Sequence, residues 1–260
     1  MNATDIGWGG LAASLILVGL AVVLSVANHL GVERTIVWAC VRAAAQMFVV
    51  GWALTLVFDA SASVAWAWAW VAFMIVVASA TVRARAREVP GAFGLALVAL
   101  VAVGVVTLGT IFWLGIFPLE ARAIVPLAGM QIANAMVACV VVARRVVAGY
   151  ADQRAEIEAR LALGLPGREA GRPVVRDAMR TAILPQVESV KVFGIIALPG
   201  AMTGLILAGV EPAHAVRIQV AIGYLMIGSV ATSVSVVGLG LSRRLITTDH
   251  RLVRVARPSG

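Results

Sequence analysis

Long apolar runs separated by short polar connections make up most of the chain, and this pattern predicts helices that cross a membrane. Several runs are about 20 residues long, which is the length at which an α-helix spans the hydrocarbon core of a bilayer. Backbone N–H and C=O groups find no water there, so each run is expected to be helical. We predict seven spans, at residues 7–27, 35–58, 62–80, 91–117, 123–142, 190–209 and 215–239.

One long polar stretch, residues 156–189, interrupts the apolar runs. Its sequence GLPG, from Gly164 to Gly167, is a turn signal. Apolar residues recur at helical spacing on both sides of that turn. They are Ile157, Leu161 and Leu165 before it, and Val175, Met179, Ala182 and Ile183 after it. We therefore predict a cytoplasmic hairpin of two short amphipathic helices within a coupling segment of about 146–188. The alternative is a solvated basic loop.

Composition places the chain among membrane proteins, because 61% of its residues are hydrophobic and only 13% are charged. Its net charge of +8 would suggest a nucleic-acid partner in a soluble protein. With the N-terminus outside, however, 19 of the 21 Lys and Arg residues lie at or near the cytoplasmic side of the seven spans. We predict one transmembrane domain over residues 1–260 and no nucleic-acid partner. We also predict that the chain is a multi-pass protein of the plasma (inner) membrane. Its N-terminus is expected outside, and its basic tail at about 242–260 is expected in the cytoplasm.

The chain lacks the sequence features of an ATP-hydrolysing protein. A P-loop needs a lysine directly after a glycine-rich turn, so that the lysine can reach the phosphates. The one lysine, Lys191, stands between two valines. We find no catalytic Ser/His/Asp or Cys/His set and no catalytic carboxylate pair. We therefore predict a chain that is not an enzyme and binds no cofactor itself, with any ATP and Mg²⁺ held by another subunit.

Four stretches of the sequence carry a resemblance to ABC-transporter permeases. Glu158-Ala159-Arg160 followed by Gly164 resembles the start of the coupling motif of ABC-transporter permeases. The stretches PLAGMQIANAM (126–136) and LPGAMTGLILAGVEP (198–212) resemble those of the iron-export and aluminium-resistance family of ABC permeases. So does LALG (161–164) followed by RDAMR (176–180). The likeness runs over nearly the whole chain and is most specific from about residue 123 to 225.

That resemblance implies a homodimeric permease that exports iron and works with a cytoplasmic ATP-binding subunit. Plant members are linked to aluminium tolerance and to sugar-nucleotide transport, so another substrate remains an alternative. A stand-alone carrier and a non-transporting scaffold are rivals, and the apparent lack of mid-span acids argues against the carrier. The residues expected to couple to the ATPase are Glu158, Ala159, Arg160, Gly164, Arg168, Arg176 and Asp177.

Polar and sulfur-containing side chains in span five are candidates for a substrate pathway. They are Met130, Gln131, Asn134 and Met136. An amide in hydrocarbon needs a partner, so these amides are expected to face other helices or a wet path. A hydrogen bond between helices, worth roughly 0.6–2 kcal/mol, is the alternative.

Span six contains a proline that is expected to break its helix. Pro199 and Gly200 would form a hinge, with Met202 and Thr203 beside it on the substrate pathway. Close helix packing through Gly200 and Gly204 is the alternative. Iron prefers oxygen or imidazole ligands, and no such set is apparent in the spans, so the residues do not identify a metal site.

Overall fold

The computed structural model describes residues 7–58, 63–247 and 251–253, and these residues are mostly helical with no β-strand. Long apolar segments form the helices because every backbone polar group is then paired within its own segment. The helices of the described residues are α1 (Trp8–Ala27), α2 (Glu33–Val57), α3 (Val64–Arg85), α4 (Ala92–Val103), α5 (Gly109–Trp113), α6 (Ala121–Asp152), α7 (Arg154–Ala162), α8 (Gly167–Ala170), α9 (Arg172–Lys191), α10 (Gly200–Leu207) and α11 (Pro212–Leu245).

Five helical segments of the described residues are long and apolar enough to cross a membrane. One of them combines α4 and α5 through a π-helical turn at Gly104–Leu108, and α1 adds a shorter apolar stretch. The predicted all-α, polytopic membrane fold is confirmed, whereas the count of seven spans is not. The five segments are Glu33–Thr55, Val64–Arg85, Ala92–Trp113, Ala121–Asp152 and Pro212–Leu245.

The sixth predicted span, residues 190–209, is not one helix, and this corrects the sequence-based boundary. The helix α9, which belongs to the predicted polar stretch 156–189, continues to Lys191 and so extends into the predicted span. Residues 192–199 are then non-helical, and the amides of Ile195, Ile196 and Ala197 all donate to the carbonyl oxygen of Val192. Only the eight residues of α10 follow. The break therefore begins seven residues before Pro199.

The long helices run in alternating directions around α11. Thr107 lies near Gly228, while Leu95 lies near Gly240, so α4 is antiparallel to α11. In α9, Met179 lies near Gly238 and Phe193, just past its end, lies near Gly223, so α9 is antiparallel to α11 as well. Cys139 and Tyr150 of α6 lie beside Ser233 and Ser242, which makes α6 parallel to α11. Glycines on α11 permit these close approaches.

Two apolar clusters hold the bundle together. The first joins α4, α6, α9 and α11 around Val146, Tyr150 and Leu241, which are fully or almost fully buried. The second joins α3, α4, α5 and α6 around Leu100 and Ile124. The α1–α2 hairpin is peripheral: the membrane window of α2 has no buried residue, and only the end of α2 reaches the second cluster.

Arginines gather at one end of the bundle, which we call the basic end. Arg144 Nε donates to Glu88 Oε1 at 2.9 Å, and Arg244 Nη1 donates to the carbonyl oxygen of Gly91 at 3.3 Å. These contacts tie the ends of α6 and α11 to the loop between α3 and α4. The opposite end carries the starts of α6 and α11, next to Glu120 and Glu211.

Candidate functional site

The segment between α6 and α9 folds against the basic end. Ile157 of α7 and Ala170 of α8 are fully buried, and Leu161 and Leu165 pack partly buried on the first cluster. The predicted apolar stripe before the turn is therefore confirmed. The segment contains three helices rather than two, because α8 forms an extra turn between α7 and α9.

Close packing fixes the start of α9 on α6. A Cβ atom added to Gly171 would coincide with the hydroxyl of the buried Tyr150, and one added to Gly149 would lie 2.5 Å from Cγ1 of Val174. Only glycine allows these approaches. The stripe of α9 is also confirmed, with Val175 and Ala182 buried and Met179 and Ile183 packed on the first cluster.

The predicted coupling residues of α7 have two kinds of surroundings. Arg160 Nη2 pairs with Glu156 at 2.6 Å, and its Nη1 donates to the carbonyl oxygen of Ala170 at 3.2 Å. Arg160 thus fastens α7 to the end of α8. Glu158 pairs with Arg154 at 2.7 Å on the exposed face, and Ala159 is exposed beside it.

The turn after α7 presents an apolar side chain at the surface. Gly164 has φ +87°, a left-handed conformation that glycine adopts without strain, and a Cβ there would meet open space. Leu163, next to it, is 81% exposed. Sequence reasoning missed Leu163, although its place directly before the GLPG turn was an available signal.

A cleft of about 590 Å³ opens beside this turn at the basic end. Arg168 and Arg176, both predicted to couple, line it together. Arg172, which was not predicted, lies between them on the same wall, and Met179 and Leu239 form the apolar floor. Asp177 is exposed on a different face of α9. Glu169 also lines the cleft, so three arginines and one carboxylate leave a net positive charge beside the apolar floor, which suits an acidic or amphipathic surface.

The predicted pathway residues of α6 divide between buried and half-buried positions. Gln131 is 1% exposed, and neither amide atom has a hydrogen-bond partner within the described chain. Asn134 Nδ2 donates to the carbonyl oxygen of Met130 at 2.8 Å. Met130 and Met136 pack partly buried on the apolar clusters. Gln219 of α11, which sequence reasoning missed, is a second buried amide without a partner among the described residues.

The predicted hinge residues lie at the end of the non-helical segment 192–199, where α10 begins. Pro199 is the N-cap residue of α10, with an extended backbone, and Gly200 begins that helix. Thr203 Oγ1 donates to the carbonyl oxygen of Pro199 at 3.3 Å, and Met202 is half-buried. A Cβ on Gly200 or Gly204 would meet nothing within 4 Å, so close helix packing through this pair is absent from the described chain.

Sequence comparison places the chain in a family. The model of the uncharacterised protein family UPF0014 matches residues 8–246. The chain belongs to UPF0014. One relative, UPF0014 membrane protein YjkA of Bacillus subtilis, is 33% identical over 242 residues, covering 93% of this chain and 96% of the relative. The Probable iron export permease protein FetB of Escherichia coli is 29% identical over 256 residues, or 97% of each chain.

A plant relative is similar over most of its length. Protein ALUMINUM SENSITIVE 3 of Arabidopsis thaliana is 33% identical over 222 residues, covering 85% of this chain and 81% of the relative. No solved structure matches this UPF0014 chain. The resemblance to the iron-export and aluminium-resistance family is thereby confirmed, as is the description of the chain as a membrane protein of a family with permease members.

The described residues of this UPF0014 protein contain no preformed cluster of metal ligands. No group of three or more His, Cys, Asp or Glu side chains there is placed to hold a metal ion. The membrane segments instead offer amides, thioethers and hydroxyls, as on α6 and α10.

Proposed function

We propose that this chain is the membrane-spanning permease subunit of an ABC transporter, and that it exports iron from the cytoplasm with ATP hydrolysed by a separate subunit. The observation that carries this proposal is the similarity to the Probable iron export permease protein FetB over 97% of both chains. The sequence has no P-loop pattern, so in this proposal ATP and Mg²⁺ are held by the partner subunit.

The ATP-binding subunit docks at the basic end. Arginines concentrate on the cytoplasmic side of membrane proteins, so the basic end is the cytoplasmic end of this inner-membrane protein. There the exposed Leu163, the Gly164 turn and the arginine-lined cleft form one surface. Arg160 joins α7 to the end of α8 through Glu156 and the carbonyl oxygen of Ala170, so a displacement of α7 would move α8 with it.

Transmission from the docking surface to the membrane follows α9. Gly171 and Gly149 lock the start of α9 onto α6, and α9 ends at the non-helical residues 192–199. Closure of two ATPases on a homodimer would move α9 and α10 against each other across this break, with Pro199 and Gly200 as the hinge. The substrate would pass the side chains of α6 and α10 named above, namely Met130, Gln131, Asn134, Met136, Met202 and Thr203.

Reconstitution with the genomically adjacent ATPase tests the proposal. Liposomes carrying both chains are assayed for ATP hydrolysis and transport with Fe(II), Fe(III), Cu(I), Al(III) and sugar nucleotides. We expect iron to stimulate hydrolysis and to move to the face opposite the ATPase. If the ATPase binds this chain but iron does not stimulate hydrolysis, iron is rejected as the substrate and the ABC assignment stands. The name of the plant relative then makes Al(III) the next candidate.

Co-purification distinguishes the rival functions. A stand-alone carrier or a membrane scaffold would purify without an ATPase. Failure of any ATPase to bind this chain in detergent or in membranes would therefore overturn the ABC assignment, whatever the substrate.

A further inference from the structure

One exposed face of α9 carries charged side chains in both its first and its second half, although the opposite face is packed in the bundle. Val174, Val175, Ala178 and Ala182 are buried against α6 and α11. Five of its exposed residues follow one another at spacings of three or four, so these five form a stripe on one side of the helix. The stripe consists of Asp177, Arg180, Leu184, Glu188 and Lys191.

The stripe extends from the basic end into the membrane. Met179 lies near Gly238, about 7 Å along α11 from Arg243, which marks the end of its apolar stretch. Because a helix rises about 1.5 Å per residue, Glu188 lies about 13 Å deeper than Met179. Glu188 is therefore about 20 Å from the level of Arg243. This is close to half of the distance between Arg243 and Arg217, which lie near the two ends of α11. By this estimate Glu188 lies near the middle of the membrane-spanning length of α11, and Lys191 lies slightly beyond it.

Lipid hydrocarbon is an unfavourable environment for the side chains of Glu188 and Lys191. Lys191 Nζ pairs with Glu188 Oε1 at 2.7 Å, yet the two side chains remain 62% and 60% exposed. Charged groups at the bilayer centre cost several kcal/mol unless they meet water or protein. The helices that pack on α9 lie on its other face. Neither an exposed ion pair nor the stripe that leads to it is compatible with hydrocarbon.

We propose that the α9 stripe lines a water-filled vestibule that opens at the basic end, reaches the Glu188–Lys191 pair, and is enclosed by the same face of a second copy of this chain. One helix face cannot enclose water, so a second wall is required. Two copies with the same membrane orientation would place each charge of the stripe opposite its own counterpart at the same depth, and this repulsion between like charges favours a water-filled gap over dry contact.

Glu188 is then the first carboxylate that a cation meets inside the membrane. A cation entering from the basic end binds Glu188 by replacing Lys191 in the pair, so that one ion pair is exchanged for another. This role as a cation site rests on the proposed function. The aqueous exposure of the stripe does not, and it is tested without the ATPase.

Thiol labelling in inside-out membrane vesicles tests the vestibule. In a variant with Cys40→Ser and Cys139→Ser, a single cysteine is placed at Leu184→Cys or Glu188→Cys. The control is Val105→Cys, because Val105 is 69% exposed on the π-helical turn and lies at similar depth, close to Thr107 and Gly228. A membrane-impermeant maleimide is expected to label both stripe positions at least about tenfold faster than position 105, because a thiol in hydrocarbon does not ionise.

Equal protection of all three positions would overturn the vestibule and leave the ABC assignment untouched. Leu184→Cys removes no charge, so it remains informative if Glu188→Cys leaves Lys191 unpaired and misfolds. The second wall is tested with a bifunctional maleimide, which should cross-link Leu184→Cys into a dimer and leave Val105→Cys monomeric. Labelling without cross-linking at position 184 would reject the second copy as the enclosing wall.

Discussion

At the scale of single residues, glycine positions are where side-chain size is most constrained. Gly171→Ala would place a methyl group on the hydroxyl of Tyr150, which is fully buried and has no room to move. We expect this variant to lose about 1–3 kcal/mol of stability. Gly94→Ala is the control, because its Cβ would meet nothing within 4 Å and alanine favours the helix. Thermal unfolding in detergent should show a lower Tm for Gly171→Ala only, and equal Tm values would show that Tyr150 can move.

Substitution of the two buried amides, Gln131 and Gln219, is expected to affect stability and transport differently. Neither Gln131 nor Gln219 has an amide partner in the described chain, so replacing either with leucine removes an unsatisfied polar group and should leave the Tm unchanged or higher. Gln131 is on the proposed pathway, whereas Gln219 is nearer the opposite end. We therefore expect Gln131→Leu alone to reduce iron transport in the reconstituted system. A fall in the Tm of Gln131→Leu would reveal a structural hydrogen bond instead.

At the scale of elements, the sequence predicts helices well where one property persists along the whole segment. Apolar runs locate α1 to α5 and most of α6 and α11. Their ends are missed where a helix continues into water: the predicted fifth span stops at 142, but α6 runs to Asp152. The main error is α9, whose charged stripe resembles a soluble helix although its other face is buried among membrane helices. The turn signal places Leu163 at the surface and the spacing places Arg172 on a charged face, but that Arg172 lines a cleft with Leu239 of α11 depends on the folded arrangement of the helices.

The turn between α7 and α8 is the element on which coupling depends. Leu163→Asp would place a carboxylate on the most prominent apolar side chain of the proposed docking surface, so ATPase binding should fall strongly without loss of folding. This substitution is cleaner than one at Gly164, where φ +87° would strain any side chain. Leu119→Asp, at the opposite end and 56% exposed, is the matched control. Equal ATPase co-purification with both variants would remove this turn from the docking surface.

At the scale of the whole molecule, the directions of the helices and the proposed sidedness agree. The helices α6 and α11 both end at the basic end, while α4 and α9 start there. If that end is cytoplasmic, the chain after α11 is cytoplasmic too. Counting crossings backwards through α4, α3, α2 and α1 then places the N-terminus outside. The helix directions fix only which ends share a side, and the charge distribution is what assigns the basic end to the cytoplasm in this proposal.

Two exposed leucines test that orientation. Leu163 at the basic end and Leu119 at the opposite end are both accessible, so neither Leu163→Cys nor Leu119→Cys should disturb packing. With Cys40 and Cys139 replaced by serine, an impermeant maleimide added to intact cells or right-side-out vesicles should label only position 119, and added to inside-out vesicles only position 163. The reversed pattern would place the basic end outside. The docking turn and the opening of the vestibule would then be out of reach of a cytoplasmic ATPase, because both depend on the side to which the arginines face.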